Sequence, residues 1–375
     1  MRTSPTAAQV SVPGFVDHHA HLLRDAAGVA FPPTSEAVRD LHHSVARQGR
    51  SPMDVLDPAD RLAEPGLENR LMAGLRRAAA AGLVEITEMG LRSWAYLDAL
   101  TAQQAAGPLP CRVRIYVASG LADESGLAEL DARRGDCGPW ARLDGIKFYA
   151  DGWLVPRTCA LCQDFADTAG NGVLFADAPA LARRIQPLAE RGWRIATHAI
   201  GDRAVAAVLD AYDLAFDGDT QAMAAAAPRI EHASVLPAEL IARMASSGVV
   251  ACIQPSFALT DADELEPALG AERAARAYPW TELARGGVAM LAGTDYPIEV
   301  LDPLPGLARL VNGQSSRAGF MGGTAPAQAR LAAGTAFALM SDPAAGQALL
   351  SADPRAMPAA EIDTIVVLGT LPASF

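Results

Sequence analysis

The sequence predicts an α/β protein of the (β/α)8, TIM-barrel type, and three observations lead there. Eight short apolar segments suited to strands alternate with helical segments between Val10 and Asp295. Such a rhythm implies a parallel sheet, and eight units suggest a closed barrel. Half of the 375 residues are hydrophobic, enough for the core of one large domain spanning 1–375. Metal-binding side chains stand at the ends of the apolar segments, where such barrels carry their chemistry.

Val10 to Asp17 is the first strand, apolar with Pro-Gly in its middle. Residues 24–65 are rich in Pro, Asp and Arg, contain a predicted helix at Glu36–Gln48 and otherwise read as a lid or loop insertion. Glu68–Ala81 is helical and stops at Gly82. Strands are predicted at Leu83–Thr87, Arg112–Ala118, Gly145–Ala150, Trp193–His198, Arg229–His232, Val249–Gln254 and Val288–Asp295. Between them fall helices at Trp94–Ala106, at Pro179–Arg191, closed by Gly192, and from an N-capping Asp202 through Phe216. Pro237–Ser246, with Pro at its start, and Tyr278–Arg285 are also helical. Helices follow at Leu304–Leu310 and Pro326–Met340, and Glu361–Leu368 reads as a late strand outside the eight.

The net charge of −12 argues against nucleic acid or an anionic membrane as the main partner. No apolar run is long enough to span a bilayer, and Met1-Arg-Thr-Ser-Pro has no apolar signal region, so a cytoplasmic protein is expected. The five cysteines are scattered, and Cys159-Ala-Leu-Cys162 lacks a second pair, so neither a disulfide framework nor a zinc ribbon is expected. A homodimer is compatible with all of this.

Lys147 is the only lysine; every other basic side chain is arginine. Arginine cannot replace lysine where a neutral primary amine is needed, because a guanidinium stays protonated. The plain alternative is a buried Lys–Asp ion pair. Of the seven histidines, His42 and His43 fall in the 24–65 segment and are expected to be solvated loop residues. The other five stand at strand ends. His19 and His21 are two residues apart, so on an extended chain their imidazoles face the same way and can clamp a metal, while His18 faces the other way. His198, His232 and Asp295 end the fifth, sixth and eighth strands, and Lys147 lies near the end of the fourth. These side chains together read as a metal site at the barrel's C-terminal rim.

The ordered series His-x-His, Lys, His, His, Asp resembles the binuclear members of the amidohydrolase superfamily. Asp144-Gly-Ile-Lys-Phe-Tyr-Ala-Asp-Gly, His198-Ala-Ile-Gly-Asp-Arg-Ala-Val, Arg229-Ile-Glu-His and Gln254-Pro-Ser are similar to blocks of amidohydrolase family 3, which includes the N-substituted formamide deformylases. The resemblance implies hydrolysis of amide, formamide or related C–N bonds at two zinc ions. It assigns His19, His21 and Asp295 to one zinc, and His198 and His232 to the other. Lys147, carboxylated on its amine, bridges the two, and Asp295 is the proton-transferring catalytic group. Asp17, Glu231 and Asp202 are candidates to orient the imidazoles. Tyr149, Trp153, Arg157, Phe257 and Tyr296 follow the ligand-bearing strands and are candidates to line the substrate pocket, with Arg157 pairing a substrate carboxylate. The chain departs from the family in three places. His19 lies almost at its start, so the usual β-sandwich is expected to be reduced or absent, with 355–375 as its C-terminal remnant. Gly-Trp-Leu-Val-Pro-Arg follows Asp151, and Phe257 stands where a histidine is expected. Two other readings stay open. One is a mononuclear zinc deaminase using His19, His21, His198 and Asp295. The other is a metal-binding protein without catalysis.

Overall fold

The computed structural model describes residues 9–22, 35–46, 66–315 and 327–375. Eight parallel strands follow one another in sequence order: β1 (Val10–Ala20), β2 (Leu83–Leu91), β3 (Arg112–Ala118), β4 (Ala141–Tyr149), β5 (Arg194–Ala199), β6 (Arg229–His232), β7 (Val250–Ile253) and β8 (Met290–Ala292). Their apolar runs suit strands buried on both faces, and β2 is buried along its whole length. At the seam, the chain just past β8 returns to the end of β1. The amide of His21 donates to Tyr296 O at 2.6 Å and that of Asp295 to His19 O at 2.7 Å. Asp17 ties the same seam, accepting from the Thr294 amide (2.9 Å) and hydroxyl (2.5 Å).

The helices at Leu67–Ala80, Trp94–Ala106 and Ala178–Ala189 fall within two residues of their predicted ranges. Asp202 does not cap its helix: Gly201 occupies the N-cap, and the Asp202 carboxylate accepts the Cys162 amide at 2.8 Å. A helix at Ser119–Arg133 was not anticipated, because Gly126 breaks it (φ 75°, ψ 163°) and splits its apolar pattern in two.

The C-terminal region also departs from the sequence reading. Residues 359–364 form a 3-10 helix instead of the start of a strand, and the strand there is Val367–Pro372. It pairs antiparallel with β9 (Ser341–Leu350), which was not predicted; Val367–Pro372 is labelled β10. β9 in turn pairs with the first half of β1, so β1 serves an antiparallel ribbon with one half and the barrel with the other. The switch comes at Gly14, where a Cβ would lie 2.3 Å from Val84 Cγ2.

Of the 24–65 segment, the described part is the helix α1 (Ser35–Ala46). It packs on the chain after β4: Arg39 Nε donates to Pro156 O at 3.0 Å, and His42 Nδ1 meets Thr158 Oγ1 at 2.8 Å. His42 is therefore not a solvated loop residue; it is 0 % exposed, with its ring edge-on to Trp153 and Phe175. The rest of the expected lid lies outside the described residues.

Candidate metal centre

His19, His21, Lys147, His198, His232 and Asp295 come from five places around the barrel and line one cavity of about 790 Å³ at the C-terminal ends of the strands. The two-residue spacing of His19 and His21 puts both rings on the same side, with centroids 5.3 Å apart. His19 Nε2 and His21 Nε2 lie 3.5 and 3.2 Å from Asp295 Oδ1. These three residues offer donor atoms within 4.8 Å of one another. Lys147 Nζ is 3.4 Å from His19 Nε2. The His232 ring lies 5.1 Å from that of His19 and 4.5 Å from that of His198.

Buried partners hold the other nitrogens of these rings. His19 Nδ1 is 2.6 Å from Glu231 Oε2, and Glu231 is itself gripped by Arg229 at 2.7 and 2.9 Å. His232 Nδ1 is 2.7 Å from Gln254 Oε1. His198 Nε2 is 3.0 Å from Gly152 O and 3.3 Å from Asp151 Oδ1. Asp151 is fixed in turn by the amides of Ala160, Ile200 and Gly201. Such partners set tautomer and ring orientation at metal sites. His232 (φ 77°) and Asp295 (φ 59°) both adopt left-handed backbone, which non-glycine residues rarely do outside functional or strained positions.

The electrostatics suit a metal. Burial holds His19 and His232 well below the usual histidine range, and the neighbouring Lys147 and His198 push the same way. Both rings are thus neutral, the form that binds metal. Burial also favours a neutral Asp295 acid, but His19, His21 and Lys147 outweigh it and hold the carboxyl below its usual range. Lys147 is 0 % exposed, and among the described residues no carboxylate forms an ion pair with it. Burial lowers its ammonium to about 8 against the pull of Glu231 and Asp295. Among the described residues, the buried Lys–Asp pair considered from sequence is absent.

Of the expected orienting groups, Glu231 meets His19, whereas Asp17 serves the β1–β8 seam and Asp202 the Cys162 amide. Tyr149, Trp153, Phe257 and Tyr296 line the cavity. Phe257 stacks on His232, with centroids 5.7 Å apart and planes 5° from parallel. Arg157 is a correction: it does not line the cavity, because Asp167 (2.6 Å) and Glu264 (2.8 Å) hold its guanidinium. Sequence reasoning missed Gln254 and Asp151 as partners of His232 and His198. Both stand in the sequence blocks that resemble the family, and Gln254 also follows β7 directly, beside the strand that ends in His232.

The model of the amidohydrolase family matches residues 50–352. YtcJ of Bacillus subtilis (strain 168) is 35% identical over 180 residues, 48% of this chain and 33% of that protein. LONG AFTER FAR-RED 3 of Arabidopsis thaliana is 32% identical over 185 residues, 48% of this chain and 31% of that protein. The chain thus spans about a third of the length of these curated relatives. An uncharacterized metal-dependent hydrolase from Pyrococcus furiosus shares the fold at TM-score 0.68 and 20% identity, over 97% of this chain and 85% of that one. The zinc complex of atrazine chlorohydrolase TrzN from Arthrobacter aurescens TC1 does so at TM-score 0.54 and 16% identity, over 95% and 80%. With the family model covering most of its length and these barrels sharing its fold, the chain belongs to the amidohydrolase family.

Proposed function

We propose that this chain hydrolyses an amide, formamide or related C–N bond of a small molecule, in the manner of the N-substituted formamide deformylase branch. Two zinc ions would be held by His19, His21, His198, His232 and Asp295, with a carboxylated Lys147 between them. The observation that carries this reading is the gathering of all six side chains in one cavity, with the far nitrogens of three imidazoles already held by Glu231, Gln254 and the Asp151–Gly152 pair.

Zinc, when bound, lowers the pKa of water to about 7 and polarises a carbonyl. The remaining work falls to this chain. Asp295, ionised and facing His19 and His21, accepts the proton of the attacking water and returns it to the departing nitrogen. Lys147 must lose its proton before its amine can take up carbon dioxide, and burial favours that loss. Tyr149, Trp153, Phe257 and Tyr296 seat the apolar part of the substrate and keep bulk water away. The helix α1 (Ser35–Ala46) is proposed as part of the cover of this mouth, supported by its seat on Pro156 and Thr158.

The compact triad of His19, His21 and Asp295 favours a second reading, a mononuclear deaminase. Metal analysis of the purified protein, combined with a screen of N-acyl, N-formyl and cyclic amides, separates the two. Two zinc ions per chain with C–N hydrolysis supports the first reading. One zinc with ammonia released from a ring substrate supports the second. A folded, metal-loaded chain inert toward every substrate would refute both.

A further inference from the structure

Besides the six polar side chains, the cavity is lined by Glu299, Asp261 and Thr260. Glu299 is 8 % exposed, and among the described residues it forms no ion pair; the Thr260 hydroxyl donates to Ser256 O at 3.4 Å. Arg309 is the nearby cation, but its Nη1 is committed to Ser256 Oγ at 2.6 Å. Asp261 accepts from the Tyr278 hydroxyl. Among the described residues, Lys147 is the one lysine or arginine that lines the cavity, and it sits against His19. Arg157, the cation nearest in sequence to the cavity wall, is held by Asp167 and Glu264.

Among the described residues, the charged groups that line the cavity away from the candidate metal centre are Glu299 and Asp261, both acidic. Arg309 attracts Glu299 through space without forming an ion pair with it, so the buried carboxylate still gains from a cation brought directly against it. An anionic substrate would add like charge to a poorly solvated space. A cation would gain Coulomb attraction to Glu299 and Asp261, and could rest on the ring of Trp153 or Phe257, which line the same cavity. The net charge of −12 also draws cations toward the protein.

We propose that Glu299 determines specificity, and that the substrate carries a positively charged group which binds against Glu299 and Asp261 while its scissile bond faces the metal centre. This rests on the hydrolase reading above, which it narrows to cationic amides.

Titration calorimetry on the full, metal-loaded chain tests this with choline and 3,3-dimethylbutan-1-ol, which share a shape but differ in charge. Neither carries an amine able to ligate a metal, and neither needs to be turned over. Choline should bind about tenfold more tightly or better. Burial raises Glu299 to about 7, with Arg309, Asp261 and Asp295 as the charged groups facing it. A bound cation favours the ionised carboxyl, so the preference should grow between about pH 6 and about pH 8. Glu299→Gln should cut the preference severalfold, Asp261 and the rings retaining the remainder, and leave the affinity for the alcohol unchanged, whereas Glu299→Asp should retain it. Equal affinities in the parent protein, or an undiminished preference in a folded Glu299→Gln variant, would overturn the proposal. An enzyme that hydrolyses amides without cation preference refutes this inference alone. Cation preference without hydrolysis refutes only the hydrolase reading.

Discussion

Replacing Glu231 by Gln is the most informative single change, because one carboxylate holds two neighbours. Glu231 is fully buried, orients His19 through a 2.6 Å contact, and receives Arg229 at 2.7 and 2.9 Å. The amide keeps the shape but leaves the buried Arg229 guanidinium without a counter-charge. Breaking a buried pair in this way costs about 3–5 kcal/mol. The lower end applies here, since the Gln carbonyl can still accept one Arg229 N–H. At about 2.1 cal/mol/K per residue, unfolding this 375-residue chain carries an entropy of roughly 0.8 kcal/mol/K. A loss of about 3 kcal/mol therefore lowers the unfolding midpoint by about 4 °C. Freed from its partner, His19 can also adopt the wrong tautomer, and metal affinity should fall by about 10–100-fold. Scanning calorimetry reads the first effect and competition with a chelator the second. An unfolding midpoint within about 1 °C of the parent, with unchanged resistance to the chelator, would refute the claim that this pair supports both the barrel and the site.

Asp295→Asn keeps size but loses the base, so turnover should fall by about 10²–10⁴-fold with little change in unfolding temperature; near-normal turnover would remove Asp295 from catalysis. Carbon-13 NMR of protein equilibrated with labelled bicarbonate should show a carbamate signal that Lys147→Arg abolishes together with metal content, and its absence in metal-loaded parent protein would exclude the bridge. Lys147→Ala should regain part of its activity when a short carboxylic acid is supplied, and a failure of every such acid would count against a bridging carboxylate. Burial raises Asp261 from 3.8 to about 6, so its contribution to stability is full below 3.8 and is lost as pH rises through about 6. Asp261→Asn should flatten that decline, worth at most about 3 kcal/mol, in thermal unfolding across this range; an unchanged slope would show that another group causes it.

The barrel was legible because its strands are nearly unbroken apolar runs, and several of them are closed by a polar residue that enters the cavity. Lys147 after Gly145-Ile146 and His198 after Ala196-Thr197 illustrate this. The period of two correctly aimed His19 and His21 together. What stayed hidden depends on distant chain. Ser341–Leu350 contains Pro343, Ala344 and Gly346, which look like loop, and becomes a strand because it runs beside both β1 and β10. His42 looked solvated because its neighbours are polar, but Trp153, Thr158 and Phe175 arrive from more than a hundred residues away. Arg157 looked free for a substrate because nothing local signals that Asp167 and Glu264 converge on it. The left-handed backbone of His232 and Asp295 leaves no trace in composition, since neither position is glycine.

The interior of this barrel is itself part of the site. Side chains that fill such barrels are usually branched and apolar, yet here charge runs along much of the lumen. Near the N-terminal ends of the strands, Glu85 pairs with Arg112 and Arg114, and Arg114 also pairs with Asp144. Phe375 lies against both of these arginines. Arg229 then packs over Tyr116, grips Glu231, and through it reaches His19 beside Lys147. Buried ion pairs contribute little net stability, because desolvation offsets their attraction. The stability of the fold must therefore come from the apolar contacts of residues such as Leu71, Leu75, Trp193, Val208 and Trp280. That division leaves the lumen free to hold charges at fixed positions. A neutral residue at Glu231 could pack equally well, but it could not at once compensate Arg229 and fix the proton of His19 on Nδ1. On this argument the polar column exists to orient one imidazole, and its members should tolerate substitution only when the charge on Arg229 and the acceptor facing His19 are both preserved.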